Sequence, residues 1–261
     1  MTASFLRSVW VIAYRELLRF VQDRPRVISS FGMPLVFLVI FGAGFGRLIG
    51  QMMPGVDYIQ FMYPGILAMP ILMTSVMSGV SIVWDREFGF LKEVLVSPLN
   101  RSGVLAGKAA GAGVIAIIQG SIMLAVAPIL DVPVGPGTVL ALIPLLLILS
   151  FSLSALGLLI GARMRSQQGF QLLMQLVIFP MFFLSGIFFP VSQVARWLEV
   201  LSKLNPVTYG IDAIRQTFLG AEVGGVTLFG HTMGIVDSAV VVAIVGLVFL
   251  SGAAWAFNKT E

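Results

Sequence analysis

The side chains best placed to do chemistry in this sequence are five charges in one short run: Asp85, Arg86, Glu87, Lys92 and Glu93. They are interleaved with Phe88, Leu91 and Leu95 at i, i+3 and i+7, the spacing of an amphipathic helix, which Ser97–Pro98 stops. A helix of this kind performs recognition, not bond breaking. Either its apolar ridge inserts into a groove on another protein, or the segment lies against a membrane as an ordinary loop. The remaining polar groups stand within apolar stretches. Gln171 and Gln175 are one helical turn apart, Thr74, Ser75 and Ser78 cluster, and Gln119 lies in another stretch. An unbonded amide in an apolar medium costs on the order of 2–7 kcal/mol. These groups must therefore hydrogen-bond between helices or line a pathway for solute.

Catalytic and cofactor-binding patterns are missing. The chain has no cysteine and one histidine, His231, which rules out disulfides, thiolate metal sites and a histidine-rich metal centre. The string Gly103-Val-Leu-Ala-Gly107-Lys108-Ala109 has neither the spacing nor the hydroxyl of a phosphate-binding loop. The zinc-protease, nucleophile-elbow and potassium-filter strings are absent. No carboxylate lies deep in an apolar segment, which argues against a carrier driven by protons or sodium. The chain reads as non-catalytic, with no metal or cofactor of its own and any energy supplied from outside.

The elements that must position these groups follow from composition. Of 261 residues, 58% are hydrophobic and 11% charged, and mean hydropathy is +1.00. Soluble domains carry about 25% charge, so a water-soluble or a disordered protein is excluded and an all-α integral membrane protein is expected. Six apolar segments, at about 27–49, 61–83, 103–130, 138–160, 169–189 and 235–257, form one membrane domain over residues 1–261. Of the sixteen basic residues, twelve fall in the N-terminal stretch, the second and fourth polar breaks and the C-terminus. Basic residues are retained in cytoplasmic loops, so both termini are expected there. No removable signal peptide is expected, because the first long apolar run follows a charged stretch of 26 residues. Within residues 1–26, Leu6, Val9, Trp10, Ala13, Leu17, Phe20 and Val21 share one helical face, opposite Arg7, Arg15, Arg19 and Gln22. This predicts an interfacial helix on the inner leaflet, or one packed on its own protein, or both. Glycines at 103, 107 and 111, and at 157 and 161, allow close helix approach, within the chain or between subunits.

The run Arg86-Glu87-x-Gly89, then Leu95-Val96-Ser97-Pro98, Arg101 and Gly107-Lys108, resembles the inner loop of ABC-2 type transporter permeases. A second stretch, Leu184-Ser185-Gly186-Ile187-Phe188-Phe189-Pro190, Trp197-Leu198, Leu204-Asn205-Pro206-Val207-Thr208-Tyr209 and Asp212-Ala213-Ile214-Arg215, is similar to that family's second conserved region. Ala195 stands where relatives often carry proline. The resemblance implies six spans, a cytoplasmic coupling helix over Asp85–Ser97 that docks on a separate ATP-hydrolysing subunit, and ATP and Mg bound by that partner. It also implies short re-entrant helices near the outer face, where Phe188, Phe189, Trp197, Asn205 and Tyr209 would form an outer gate. If the polar groups within the apolar stretches line that pathway rather than bond between helices, Thr74, Ser78, Gln119, Gln171 and Gln175 are the lining. Further implications are a pair of such permeases, with itself or a related chain, in a bacterial inner membrane, in contact with lipid and not with nucleic acid. The cargo would be an amphipathic drug, lipid or glycoconjugate. The competing readings are a self-contained carrier or channel without an ATPase, and a non-transporting membrane anchor.

Overall fold

The computed structural model describes residues 2–52, 55, 57–87, 101–220, 223, 225–228 and 230–258. Helices α1 (Thr2–Gln22) and α2 (Arg24–Met52) are separated by Asp23 alone. The Asp23 carboxylate accepts the Arg26 amide at 3.2 Å, and Pro25 sits in the first turn of α2, where its missing N–H costs nothing. Helix α3 (Tyr58–Val76) begins at Asp57, whose carboxylate accepts the Ile59 and Gln60 amides. It continues through a 3-10 turn (Met77–Gly79) into α4 (Val80–Glu87). Helix α5 (Arg101–Val126) is followed by α6 (Pro136–Gly161), α7 (Gln167–Phe183), α8 (Arg196–Leu204) and α9 (Pro206–Leu219). A two-stranded antiparallel ladder, β1 (Thr227–Leu228) with β2 (His231–Thr232), precedes α10 (Ile235–Asn258). That small ladder is the one departure from an all-helical fold among the described residues.

Helix α3 is the axis of the bundle, packed by α2, α5, α6 and α9. Its side chains from Phe61 to Leu72 are all buried, because an all-apolar helix ringed by others has no face to give to lipid. Helix α10 lies on α6. The tightest crossing is at the 3-10 turn. A Cβ on Gly157 would stand 2.0 Å from the Val76 carbonyl oxygen, and one on Gly79 would stand 2.0 Å from the Gly157 carbonyl oxygen. Backbones meet there with no room for any side chain.

Helix α1 packs along the first half of α5. Ser8, Ile12 and Glu16 oppose Gly103, Gly107 and Gly111 in turn, each pair in Cβ contact range. Both glycine series are thus used for packing inside the chain. The face predicted for α1 is divided: Phe20 is buried, Val9 and Ala13 are half-buried, while Leu6, Trp10 and Val21 are exposed. With Tyr14, Leu18 and Val11 the exposed residues form a second apolar arc of about 140°. Arg7 falls on that exposed arc, not opposite it as the sequence suggested. The glycine ridge takes Ser8, Ile12 and Glu16, a face that hydrophobicity alone does not mark.

Five helical stretches among the described residues are long and apolar enough to cross a membrane: Arg24–Gly46, Tyr58–Trp84, Gly103–Leu130, Pro136–Gly161 and Ile235–Ala256. The fifth expected segment, 169–189, is helical only through Phe183. At ~1.5 Å per residue, the 17 residues of α7 reach about 25 Å, less than the ~30 Å of a hydrocarbon core. Gly186, at a φ of +74° that only glycine adopts freely, turns the chain out of the helix. Proline is accommodated inside α2, α3, α6 and α7, and Pro128 falls in the 3-10 turn Ala127–Leu130.

Candidate functional site

Two regions collect the polar groups singled out by the sequence, one at the end of the bundle where α4 finishes and one at the opposite end. Most of the expected coupling helix, Asp85–Ser97, follows Glu87, so Phe88, Leu91, Lys92 and Glu93 lie outside the described residues. Its first turn is the end of α4. There the Arg86 guanidinium donates from Nη1 to the Met164 carbonyl at 2.8 Å and from Nη2 to the Ala162 carbonyl at 3.0 Å. These carbonyls belong to the connection just after α6, where no further helical turn takes them up. Burial, and secondly the charge of Arg165, hold the Arg86 pKa below its ordinary value. Beside it, Glu87 Oε2 accepts the Gln167 amide at 2.9 Å. The carboxylate thus sits on the N-terminus of α7, where the helix dipole favours a negative charge, and Ser166 caps the same end by accepting the Gly169 amide. Arg86 and Glu87 therefore grip the α6–α7 connection from two sides.

Next to this grip is a cleft of about 470 Å³ between the α1–α2 corner, α3, α4 and the start of α7. Of the predicted pathway residues, Thr74, Ser78 and Gln171 line it. Gln119 stands behind, fully buried, its amide donating to the Thr74 hydroxyl at 3.0 Å. Gln175 is exposed on α7 and does not belong to the cleft. Of the α1 residues named as interfacial, Arg19 reaches the cleft, whereas Trp10 and Arg7 are exposed away from it and Arg15 pairs with Glu16 at 3.7 Å.

Sequence reasoning missed Lys108 as a site. It lies inside a candidate span yet is buried, donates to the Ser81 hydroxyl, and stands 3.7 Å from Glu16 of α1. A lysine within the four-residue glycine ladder of α5 was the available signal. It joins α1 and α4 through α5.

At the opposite end, Phe188 is buried in a cluster of rings. Its centroid lies 4.4 Å from that of Phe41 and within 6 Å of Phe37, Phe182 and Phe183. Phe189 is half-buried against the same core. Asn205 caps α9 by accepting the Val207 amide at 3.1 Å and donates to the Met181 carbonyl at 2.6 Å, and the Tyr209 hydroxyl donates to the Lys203 carbonyl. Trp197 does not join them; it is 67% exposed on α8. The groups that hold this end together are two that were not proposed as site residues. Arg215 is buried, donates to the Phe61 and Gly186 carbonyls, and stacks 3.9 Å from the Phe61 ring centroid. Asp212, one turn earlier, accepts from Gln216 and from the Gly225 and Val226 amides. Opposite charges at i, i+3 in an otherwise apolar helix were the signal for them. Among the described residues no group of three or more His, Asp or Glu is arranged to hold a metal.

The profile of the ABC-2 type transporter family matches residues 7–219. The ycf38 transport permease of Cyanophora paradoxa is 28% identical over 216 residues, covering 81% of this chain and 74% of that protein. The inner membrane transport permease YadH of Escherichia coli K12 is 28% identical over 232 residues, covering 86% and 87%. Nodulation protein J of Rhizobium leguminosarum bv. viciae is 28% identical over 204 residues, covering 77% and 78%.

Proposed function

Because this chain belongs to the ABC-2 type transporter family, a family of membrane transport permeases, we propose that it is the membrane subunit of an ATP-driven exporter in a bacterial inner membrane. Two copies, or one copy and a related permease, pair with two ATPase subunits that bind ATP and Mg. The cargo is an amphipathic drug, lipid or glycoconjugate leaving the cytoplasm or inner leaflet. The observation that carries this reading is the grip of Arg86 and Glu87 on the α6–α7 connection. A push on residues 88–97 reaches the start of α7 directly, and Gln167 and Gln171 of α7 line the cleft.

Six crossings are supported by the path of the chain. Arg163, just after α6, stacks on Trp255 near the end of α10, while Gln216 of α9 bonds the Met233 carbonyl just before α10. The chain must therefore travel from one end of the bundle to the other between 163 and 235, and α7 with the turn at Gly186 makes that journey. The Arg163–Trp255 contact, with Ser8 of α1 against Gly103 at the start of α5, Lys108 of α5 on Ser81 of α4 and Arg86 of α4 on Ala162, supports both termini at one end, beside the basic loops, which by the retention of positive charge is the cytoplasmic one. At the outer end, the Phe188 cluster and the Asn205–Tyr209 corner form a gate held by Asp212 and Arg215.

Reconstitution tests the proposal. In proteoliposomes, a cognate ABC ATPase subunit should hydrolyse ATP faster with the permease than alone, and efflux of amphipathic solute should require ATP. Solute movement by the purified chain with nucleotide irrelevant would favour the carrier or channel instead. The chain has no cysteine, so a single Lys92→Cys substitution gives a clean topology probe: an impermeant maleimide should label it only from the cytoplasmic side.

A further inference from the structure

The cleft beside α2 has a chemistry that the exporter reading leaves open. Its volume of about 470 Å³ is that of a small-molecule site, typically ~300–1,000 Å³. Two guanidinium groups stand on it, Arg19 from the end of α1 and Arg26 from the first turn of α2. Among the described residues neither lies within ion-pair distance of a carboxylate. Glu16 is the one acid on the lining, and it stands 3.7 Å from both Lys108 and Arg15. Among the described residues Arg19 and Arg26 therefore meet the cleft without an ion-pair partner, the Asp23 carboxylate being taken up by the Arg26 backbone amide. The rest of the wall is of another kind: Met33, Met69, Met73 and Met77, with Trp84 beside them. Unbranched, polarisable methionines adapt to irregular apolar chains.

From this pairing of a cationic rim with a methionine wall, we propose that the cleft binds an anionic amphiphile. A phosphate-bearing headgroup is held by Arg19 and Arg26, whose planar forks match its oxygens, and its apolar chain runs along the methionines past Trp84. Basic pockets between helices on the cytoplasmic side suit such headgroups. The proposal rests on the exporter reading for the direction of travel only; binding itself needs no ATPase.

The test uses the full chain with W10F, W197F and W255F, so that Trp84 is the single tryptophan, in phosphatidylcholine nanodiscs. Phosphatidic acid with brominated chains should quench Trp84 saturably, at a mole fraction at least tenfold below that needed for brominated phosphatidylcholine. R19Q/R26Q should abolish that preference, R19K/R26K should keep part of it, and R7Q, an exposed arginine away from the cleft, should keep all of it. Millimolar inorganic phosphate should fail to displace the lipid. Thermal unfolding of each variant checks that the fold is kept. Equal quenching by the two lipids overturns the proposal, as does a preference that survives R19Q/R26Q, one that falls equally with R7Q, or displacement by phosphate alone. Selective quenching without ATP-dependent transport would overturn the exporter reading and leave the site standing. Transport without selective quenching would do the reverse.

Discussion

Replacing Glu87 separates transmission of force from stability. The carboxylate makes one described contact, accepting the Gln167 amide at 2.9 Å on the N-terminus of α7. An acceptor at such a position is worth about 1 kcal/mol, and a charge there about 0.3–1 kcal/mol. Ser166 still caps the helix in its absence. Glu87→Ala should therefore cost about 1–2 kcal/mol, which a membrane domain survives, and Glu87→Gln, which keeps an oxygen acceptor, should cost less. The effect on function should be larger than on stability. Arg86 holds the Ala162 and Met164 carbonyls just after α6, whereas Glu87 bonds the first amide of α7. Under the proposed exporter function, an ATPase stroke of unchanged size would, without that bond, turn α4 against a helix it no longer holds. The assay is efflux per ATP hydrolysed in proteoliposomes, with thermal unfolding in parallel. Expected is a fall in that ratio of about fivefold or more for Glu87→Ala, the equivalent of ~1 kcal/mol of lost coupling, a smaller fall for Glu87→Gln and a larger one for Glu87→Lys. An unchanged ratio in Glu87→Ala, with or without a lowered melting temperature, would refute the idea that this contact carries the stroke.

Three other sites give defined outcomes: the Gly157 crossing, the Gln119–Thr74 bond and Lys108. Gly157→Ala places a Cβ 2.0 Å from the Val76 carbonyl oxygen and should destabilise the chain by about 3 kcal/mol or more, whereas Gly32→Ala, with open space around it, should be neutral; the fraction eluting monodisperse after a heat step reports both. Gln119→Leu and Thr74→Val should each cost about 0.6–2 kcal/mol and the pair less than their sum, read as a double-mutant cycle in denaturation, because the two side chains bond each other. Lys108→Met should loosen α1 from α5 by removing the buried cation beside Glu16, a change of about 1–3 kcal/mol because Glu16 is partly exposed and keeps Arg15, seen as earlier proteolysis between α1 and α2.

Much of this molecule was legible from residue order because hydrocarbon imposes strong rules. Apolar length marked the span-forming helices, and the break at Asp23–Pro25 was marked by proline, whose backbone needs are local, whereas the end of α7 at Phe183, short of the expected 189, was not. Thr74, Ser78 and Gln171 were picked out because a polar group in a membrane must be used, and they do meet at one cleft.

What residue order left open was which partner each group takes. Nothing local says that Glu87 caps a helix 80 positions later, that Lys108 faces Glu16, or that the glycine ladder of α5 is filled by α1 rather than by a second subunit. Apolar length and backbone chirality act within a few residues, so order alone settles them. Pairing of charges, closure of glycine contacts and the split of α1 into a packed face and an exposed face depend on distances set only when the helices come together, and there the tertiary structure decides.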